Sequence, residues 1–417
     1  MKDSTAIILH DPVSCAARHA LWWMVAANLV GLWLSLLLVF PEIGVLTGEL
    51  TYGRWVPLHL NWHLYGWTAL GLVGLLFELF PQTRQFFSRS AQLGVWLWSA
   101  CLLFGAIDWL SGRTSGKIFL DWSGWMRVCF PLVILYLWAI LFRSWYAHQR
   151  SLFLAVFLVP LFGVCFGLYF ASDPQVYPPV DRSSGGPSGA SLLNSTLFVV
   201  LLLLILGGKL AKNTRGSKSD IIIWVLFGLN LILGVFASQL PNDHHHPGQI
   251  TCLATLLVWP LLIAVYFKNR TWPYKGVLWS RAMLVWLMIL CLHGVISFLP
   301  GILDQVKFTN ALVGHSHLAM AGFTTSFVIF LLQQILSPHE SHVFEDRSAY
   351  WRWHLAAFTY LVLMTGVGIF EIIDLSFTVD GGWIKKSLYL GRFVVGIPMF
   401  LISLYWWKRL NDQVLKS

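Results

Sequence analysis

The chain has 417 residues, 57% of them apolar and 11% charged, with a net charge of +9 and a mean hydropathy of +0.67. Soluble domains carry about a quarter of their residues as charges, so this composition argues against a water-soluble enzyme, a disordered scaffold and a nucleic-acid binder. The basic excess belongs instead to membrane topology.

A helix needs ~20 apolar residues to cross a ~30 Å hydrocarbon core, and apolar runs broken by charge, Gly or Pro predict twelve such spans. They fall near 18–40, 57–80, 91–110, 123–145, 150–171 and 191–208, then near 219–240, 248–267, 277–299, 311–336, 352–374 and 388–407. The expected fold is an all-α integral membrane protein with membrane lipid as its surroundings, one transmembrane domain of twelve helices over 1–417. Helices are required because a backbone in lipid must satisfy its own hydrogen bonds, and no barrel alternation is present. The first run is too long for a signal-peptide core and no small-residue cleavage pattern follows it, so it is expected to be a retained span. With twelve spans both termini share a side. Nineteen of the 28 Lys and Arg residues fall on that side, which predicts cytoplasmic termini. The Ser-, Gly- and Pro-rich stretch Ser172–Ala190 becomes an outer loop. No internal repeat is evident.

Six isolated cysteines, with no C-x-x-C pair, imply neither a disulfide framework nor covalent haem attachment. Tryptophans near span ends, among them Trp22, Trp23, Trp55, Trp122, Trp125, Trp406 and Trp407, suit the headgroup region.

An intramembrane histidine is costly unless paired or bound, and therefore marks a functional candidate. His19, His148, His339, His342 and His354 sit at or near cytoplasmic ends within reach of water, and His10 lies in the N-terminal tail. Three groups remain: His59 with His63 in the second span, His244, His245 and His246 after the seventh, and His315 with His317 in the tenth. All three fall in the outer part of the bilayer. Helix positions i and i+2 point ~200° apart, so His315 and His317 cannot serve one metal from one side. They can serve two planar macrocycles on opposite sides of one helix, one iron each. His59 is available as the second axial imidazole of a low-spin haem. His63, one turn deeper, is an alternative ligand or a hydrogen-bonding support. Adjacent histidines at a helix end also suit a borderline metal such as copper, or a solvated turn. His293, in the ninth span, is placed to line the same site or to bind a haem propionate.

The chain resembles subunit I of the haem-copper oxidase superfamily, especially the cbb-type cytochrome c oxidases and the nitric oxide reductases. The resemblance rests on Tyr52-Gly53-Arg54-Trp55-Val56-Pro57-Leu58-His59, on Phe308-Thr309-Asn310 with Val313-Gly314-His315-Ser316-His317, and on Leu388-Tyr389-Leu390-Gly391-Arg392. It implies two b-type haems, a low-spin one on His59 and His317 and a high-spin, gas-binding one on His315. Two of His244, His245 and His246 would correspond to the family's histidine pair for a distal copper or non-haem iron. The family's third distal histidine has no counterpart in 191–208, where Ser191 and Asn194 lie near the expected place. The glutamate of the reductases and the tyrosine of the cbb-type oxidases are also absent.

The function implied is that of a respiratory-chain oxidoreductase subunit passing electrons from the low-spin to the high-spin haem, which binds oxygen or nitric oxide. Its catalytic residues would be His315, His244 and His245. Its partner would be a cytochrome c-like electron-donor subunit, and its location a bacterial inner membrane with the haems towards the periplasm. The alternative is a non-catalytic electron-transfer or gas-binding haem protein that has lost the distal metal. Asp108, Glu371 and Asp374 are candidate proton carriers.

Overall fold

The computed structural model describes residues 11–48, 50–114, 116–117, 119–176, 188–213, 218–241, 243–274, 276–374, 376–377 and 382–416. His10 and positions 177–187 of the expected outer loop lie outside that set. Helix α1 (Pro12–Val39) is followed by a composite run: α2 (Tyr52–Asn61), a π-helical segment (Trp62–Thr68) and α3 (Ala69–Leu79). Next come α4 (Ser88–Leu110), α5 (Met126–Ser144), α6 (Leu152–Ala171), α7 (Gly189–Lys209) and α8 (Lys218–Ala237). Helix α9 (Pro247–Ala254) continues through a tight turn (Thr255–Val258) into α10 (Trp259–Lys268), and α11 (Leu278–Ser297) and the short α12 (Ile302–Val306) follow. Helix α13 (Asn310–His317) passes through a second π-helical segment (Leu318–Thr324) into α14 (Thr325–Ile335), before α15 (Arg347–Ile373) and α16 (Gly382–Lys416). Strands β1 (Lys212–Asn213) and β2 (Arg270–Thr271) pair antiparallel.

Among the described residues eleven helices are long and apolar enough to cross a membrane, which defines an all-α membrane protein. The expected second span is helical throughout from Tyr52 to Leu79 but stands apart from the eleven, because His59, Asn61, His63 and Glu78 dilute its apolar character. Helix α1 starts earlier than the hydrophobic run suggests. Asp11 accepts from the Val13 N–H and Pro12 takes the first helical position, so the polar turn before the apolar stretch is already helical.

Contacts divide the chain into two compact units, one of Met1–Pro179, Leu331–Ala356 and Lys386–Ser417, the other of Val180–Phe330 and Ala357–Lys385. In the first, α1 packs along α3 and the π-helical segment before it, while α5 packs between α4 and α6. In the second, α11 lies against the second π-helical segment, and α7 against α8 and α9. Lipid tails are as apolar as Leu, so helices in a membrane are held by close packing rather than by exclusion from water. Gly322 illustrates this: a Cβ there would sit 2.7 Å from Cδ2 of Trp286, so the indole of α11 lies directly on the backbone.

The two π-helical segments end alike. A π turn displaces carbonyls from their usual partners, and a threonine hydroxyl takes up one of them five residues back. Thr68 donates to the His63 carbonyl at 3.2 Å, and Thr325 donates to the Met320 carbonyl at 2.9 Å.

Candidate functional site

In the first unit, His59 sits on α2 immediately before the first π-helical segment. Its Nδ1 lies 2.8 Å from the Ala27 carbonyl of α1. A carbonyl can only accept, so Nδ1 donates and Nε2 carries the ring's lone pair. Room for the ring comes from Gly31, where a Cβ would stand 2.7 Å from His59 Cε1. His63 lies within the π-helical segment, its ring 4.8 Å from that of His59 and nearly perpendicular to it. Trp55 precedes His59 by one turn and Trp33 lies on α1. Their indole N–H groups are buried with no hydrogen-bond partner.

In the second unit, His317 repeats the His59 arrangement. Its Nδ1 donates to the Val313 carbonyl one turn back at 2.9 Å, again leaving the lone pair on Nε2. Tyr360 of α15 stacks on its ring at 4.1 Å. His315 Nδ1 lies 3.0 Å from His293 Nδ1 of α11. A proton on His315 Nδ1 gives it the same tautomer as the other two. The start of the helix bearing both histidines is clamped by buried Glu371, whose carboxylate accepts from the Asn310 backbone N–H at 2.7 Å and from its side-chain amide at 2.5 Å. Thr309 caps the same turn by accepting from the Ala311 N–H.

The three outer histidines divide. His246 is the N-cap of α9 and accepts from the Gly248 N–H at 3.1 Å, which is a structural task. His244 and His245 share one carboxylate: their Nε2 atoms lie 2.9 and 3.1 Å from the two oxygens of Asp304. Lys307 approaches the same carboxylate at 3.3 Å. The hydrogen bond from His244, reinforced by Lys307 and His245, holds the Asp304 carboxyl below the usual carboxylate range. Asp243, His244 and His245 present ligand atoms within 4.8 Å of one another. His244 is buried and its Nδ1 lacks a partner, while His245 is half exposed. On α7, Ser191 bonds back to Ser188, and Asn194 reaches Ser238 and Gly234 of the α8 region. The donor set around His244 and His245 is therefore two imidazoles and two carboxylates, which does not fit a three-imidazole distal metal.

The other singled-out groups have local tasks. His19 bonds Ser99 at 2.7 Å, and His342 pairs with Glu345 at 2.7 Å. Asp374 ties its own turn by accepting from Ser376. Asp108 faces Arg113 at 3.5 Å with its second carboxylate oxygen unbonded. Tyr360, Asp304 and the clamp on Asn310 are contacts the sequence does not advertise.

The three imidazoles fit axial ligation of haem: each can hold its proton on Nδ1 against a fixed acceptor, the support that metal-binding histidines usually have. The two orphaned indole donors beside His59 fit an acceptor such as a propionate. Comparison with known protein families and with curated proteins finds no match to any family model or individual protein.

Proposed function

We propose that the chain is a haem-binding respiratory-chain membrane oxidoreductase subunit, similar to subunit I of the haem-copper oxidases, in a bacterial inner membrane. In this reading the Tyr52–Leu79 run is the second span and brings the total to twelve, both termini are cytoplasmic, the haem histidines lie towards the periplasm, and a cytochrome c-like subunit supplies electrons. His59 and His317 would hold a low-spin b-type haem and His315 a high-spin one, with His63 supporting His59. The observation that carries the reading is the pair of backbone carbonyls, Ala27 and Val313, that fix His59 and His317 in the tautomer an axial ligand requires.

When bound, the haems supply one-electron carriage and an open coordination position for oxygen or nitric oxide. The chain's own residues orient. Ala27 and Val313 keep the Nδ1 protons in place, Tyr360 fixes the His317 ring plane, and Glu371 fixes the start of α13. His293 positions His315, since a proton held between the two Nδ1 atoms directs the Nε2 lone pair of His315 away from that contact. No step is assigned to a distal copper or non-haem iron, because the His244–His245 donor set does not match one. That mismatch, with the lack of a histidine on α7, favours the second reading, an electron-transfer or gas-binding haem protein without oxygen or nitric oxide reduction.

The test is to record optical spectra of the purified protein oxidised, reduced and carbon-monoxide-treated, with haem, iron and copper content. His317→Ala is expected to abolish the low-spin bands and His315→Ala to remove only carbon monoxide binding. The reverse pattern exchanges the assignments, and protein without a Soret band after expression with ample porphyrin removes the reading. Haem without a second metal selects the second reading.

A further inference from the structure

A cavity of about 700 Å³ opens among the residues at the terminal end of the first unit, with Arg18, Trp22, Gln92, Trp96, Trp407 and Asn411 in its wall. Two features define what it can hold. Its lining contains no carboxylate, and Arg18, whose Nε donates to the Ser14 carbonyl, has no carboxylate within ion-pair distance among the described residues. Its walls are aromatic: Trp96 meets the His19 ring edge-on at 4.4 Å, and Trp22 and Trp407 lie 5.2 Å apart. The floor is closed by Ser99, which accepts from the Trp23 indole at 3.0 Å and bonds His19 at 2.7 Å, so those polar groups are already engaged. Trp22 is 45% and Trp96 63% exposed, on helices that cross the membrane, so the opening faces lipid. Indoles favour the headgroup level, and Lys408 and Arg409 stand on the helix end that carries Trp407.

We propose that this cavity binds one anionic phospholipid, its phosphodiester on Arg18 and the upper part of its acyl chains along the indoles. A free phosphate would leave the apolar walls unfilled, and a neutral quinone ring would leave the Arg18 charge uncompensated. Basic pockets between helices on the cytoplasmic side are suited to anionic headgroups. The proposal rests on the membrane placement and on the cytoplasmic termini of the reading above, and is independent of haem.

The experiment uses the full-length protein in nanodiscs supplied equally with phosphatidylglycerol and phosphatidylcholine, followed by delipidation and native mass spectrometry of the retained lipid. Wild type is expected to keep one phosphatidylglycerol, with a preference over phosphatidylcholine of about fivefold or more. Arg18→Gln should bring that preference to within about twofold, and Arg89→Gln, outside the cavity wall, should leave it unchanged. Trp22→Ala opens the wall while keeping the charge. It should lower the amount of lipid retained, and it keeps the proposal testable if Arg18→Gln does not fold. Equal retention of both lipids by wild type, an unaltered preference in Arg18→Gln or unaltered retention in Trp22→Ala would each overturn the proposal. So would displacement of the lipid by a short-chain quinone or by millimolar inorganic phosphate.

Discussion

Substituting Gly31 by alanine isolates the placement of His59 from the stability of the fold. The added methyl would lie 2.7 Å from His59 Cε1 and 3.1 Å from Nδ1. Ordinary carbon contacts begin near ~3.5–4.0 Å, so the imidazole must retreat by about 1 Å. That movement carries Nδ1 from 2.8 Å to the limit of hydrogen bonding with Ala27, forfeiting ~0.5–1.5 kcal/mol. Overpacking of a fitted site costs ~1–3 kcal/mol in all, while replacing a mid-helix glycine by alanine returns ~1 kcal/mol. The net change in stability is therefore small, about 0–2 kcal/mol, but the imidazole loses both its position and its fixed tautomer. Purified Gly31→Ala is expected to melt near wild type and to lose most of its low-spin absorbance, measured as haem per protein with reduced-minus-oxidised spectra. Full haem content with unshifted low-spin bands would refute the argument, because the ring could not then be serving iron from the position it occupies.

Two further outcomes follow from the polar contacts. Glu371→Gln keeps one acceptor but turns an amide N–H towards the two donors of Asn310, and is expected to cost ~1–3 kcal/mol. An unchanged thermal midpoint in detergent would count against the clamp. Asp304 has a carboxyl held below the usual range by His244 first, then by Lys307 and His245. Such a group contributes stability that is fully present above its unfolded value of ~3.9 and is lost as pH falls through the lower folded value. Protection from hydrogen exchange around 243–246 and 302–306, taken relative to the intrinsic rate at each pH, should therefore fall in wild type as the medium is acidified below about pH 4. Asp304→Asn should be weakly protected at all pH and show no such acid step. Parallel profiles in the two proteins would show that the carboxylate does not anchor the histidine loop.

Most of the helical architecture is legible in the sequence because a membrane span demands an uninterrupted apolar run, and such runs carry their own boundaries. Asp11-Pro12 is a start signal of the ordinary kind, which the apolar run alone overlooks because the first turn it opens is polar. The helix expected as a second span is present from Tyr52 to Leu79, although the polar residues that make it a candidate site weaken it as an apolar segment. The three histidine groups could be singled out from cost alone. Their supports could not, because each depends on a partner distant in the chain: His59 on Ala27, His244 on Asp304, Asn310 on Glu371. No local propensity encodes such pairs. The π-helical segments were invisible for a different reason, since widening a helix by one residue leaves composition and hydropathy untouched. A signal exists once the segments are known. Gly66-Trp67-Thr68 and Gly322-Phe323-Thr324 match in type, and their glycines stand seven residues after His59 and His315 respectively.

Each π-helical segment accommodates one residue beyond what regular winding would place in that length, so the angular phase of the helix is reset there. The stretch that presents imidazoles and the apolar stretch beyond it are thereby decoupled. Rewinding Trp62–Thr68 or Leu318–Thr324 as a regular helix with every residue kept would swing one stretch about a hundred degrees against the other, whereas deleting one residue there would restore regular winding without that swing. The side chains that choose a cofactor and those that choose neighbouring helices can thus be tuned separately, as if mounted on two spindles joined by a coupling.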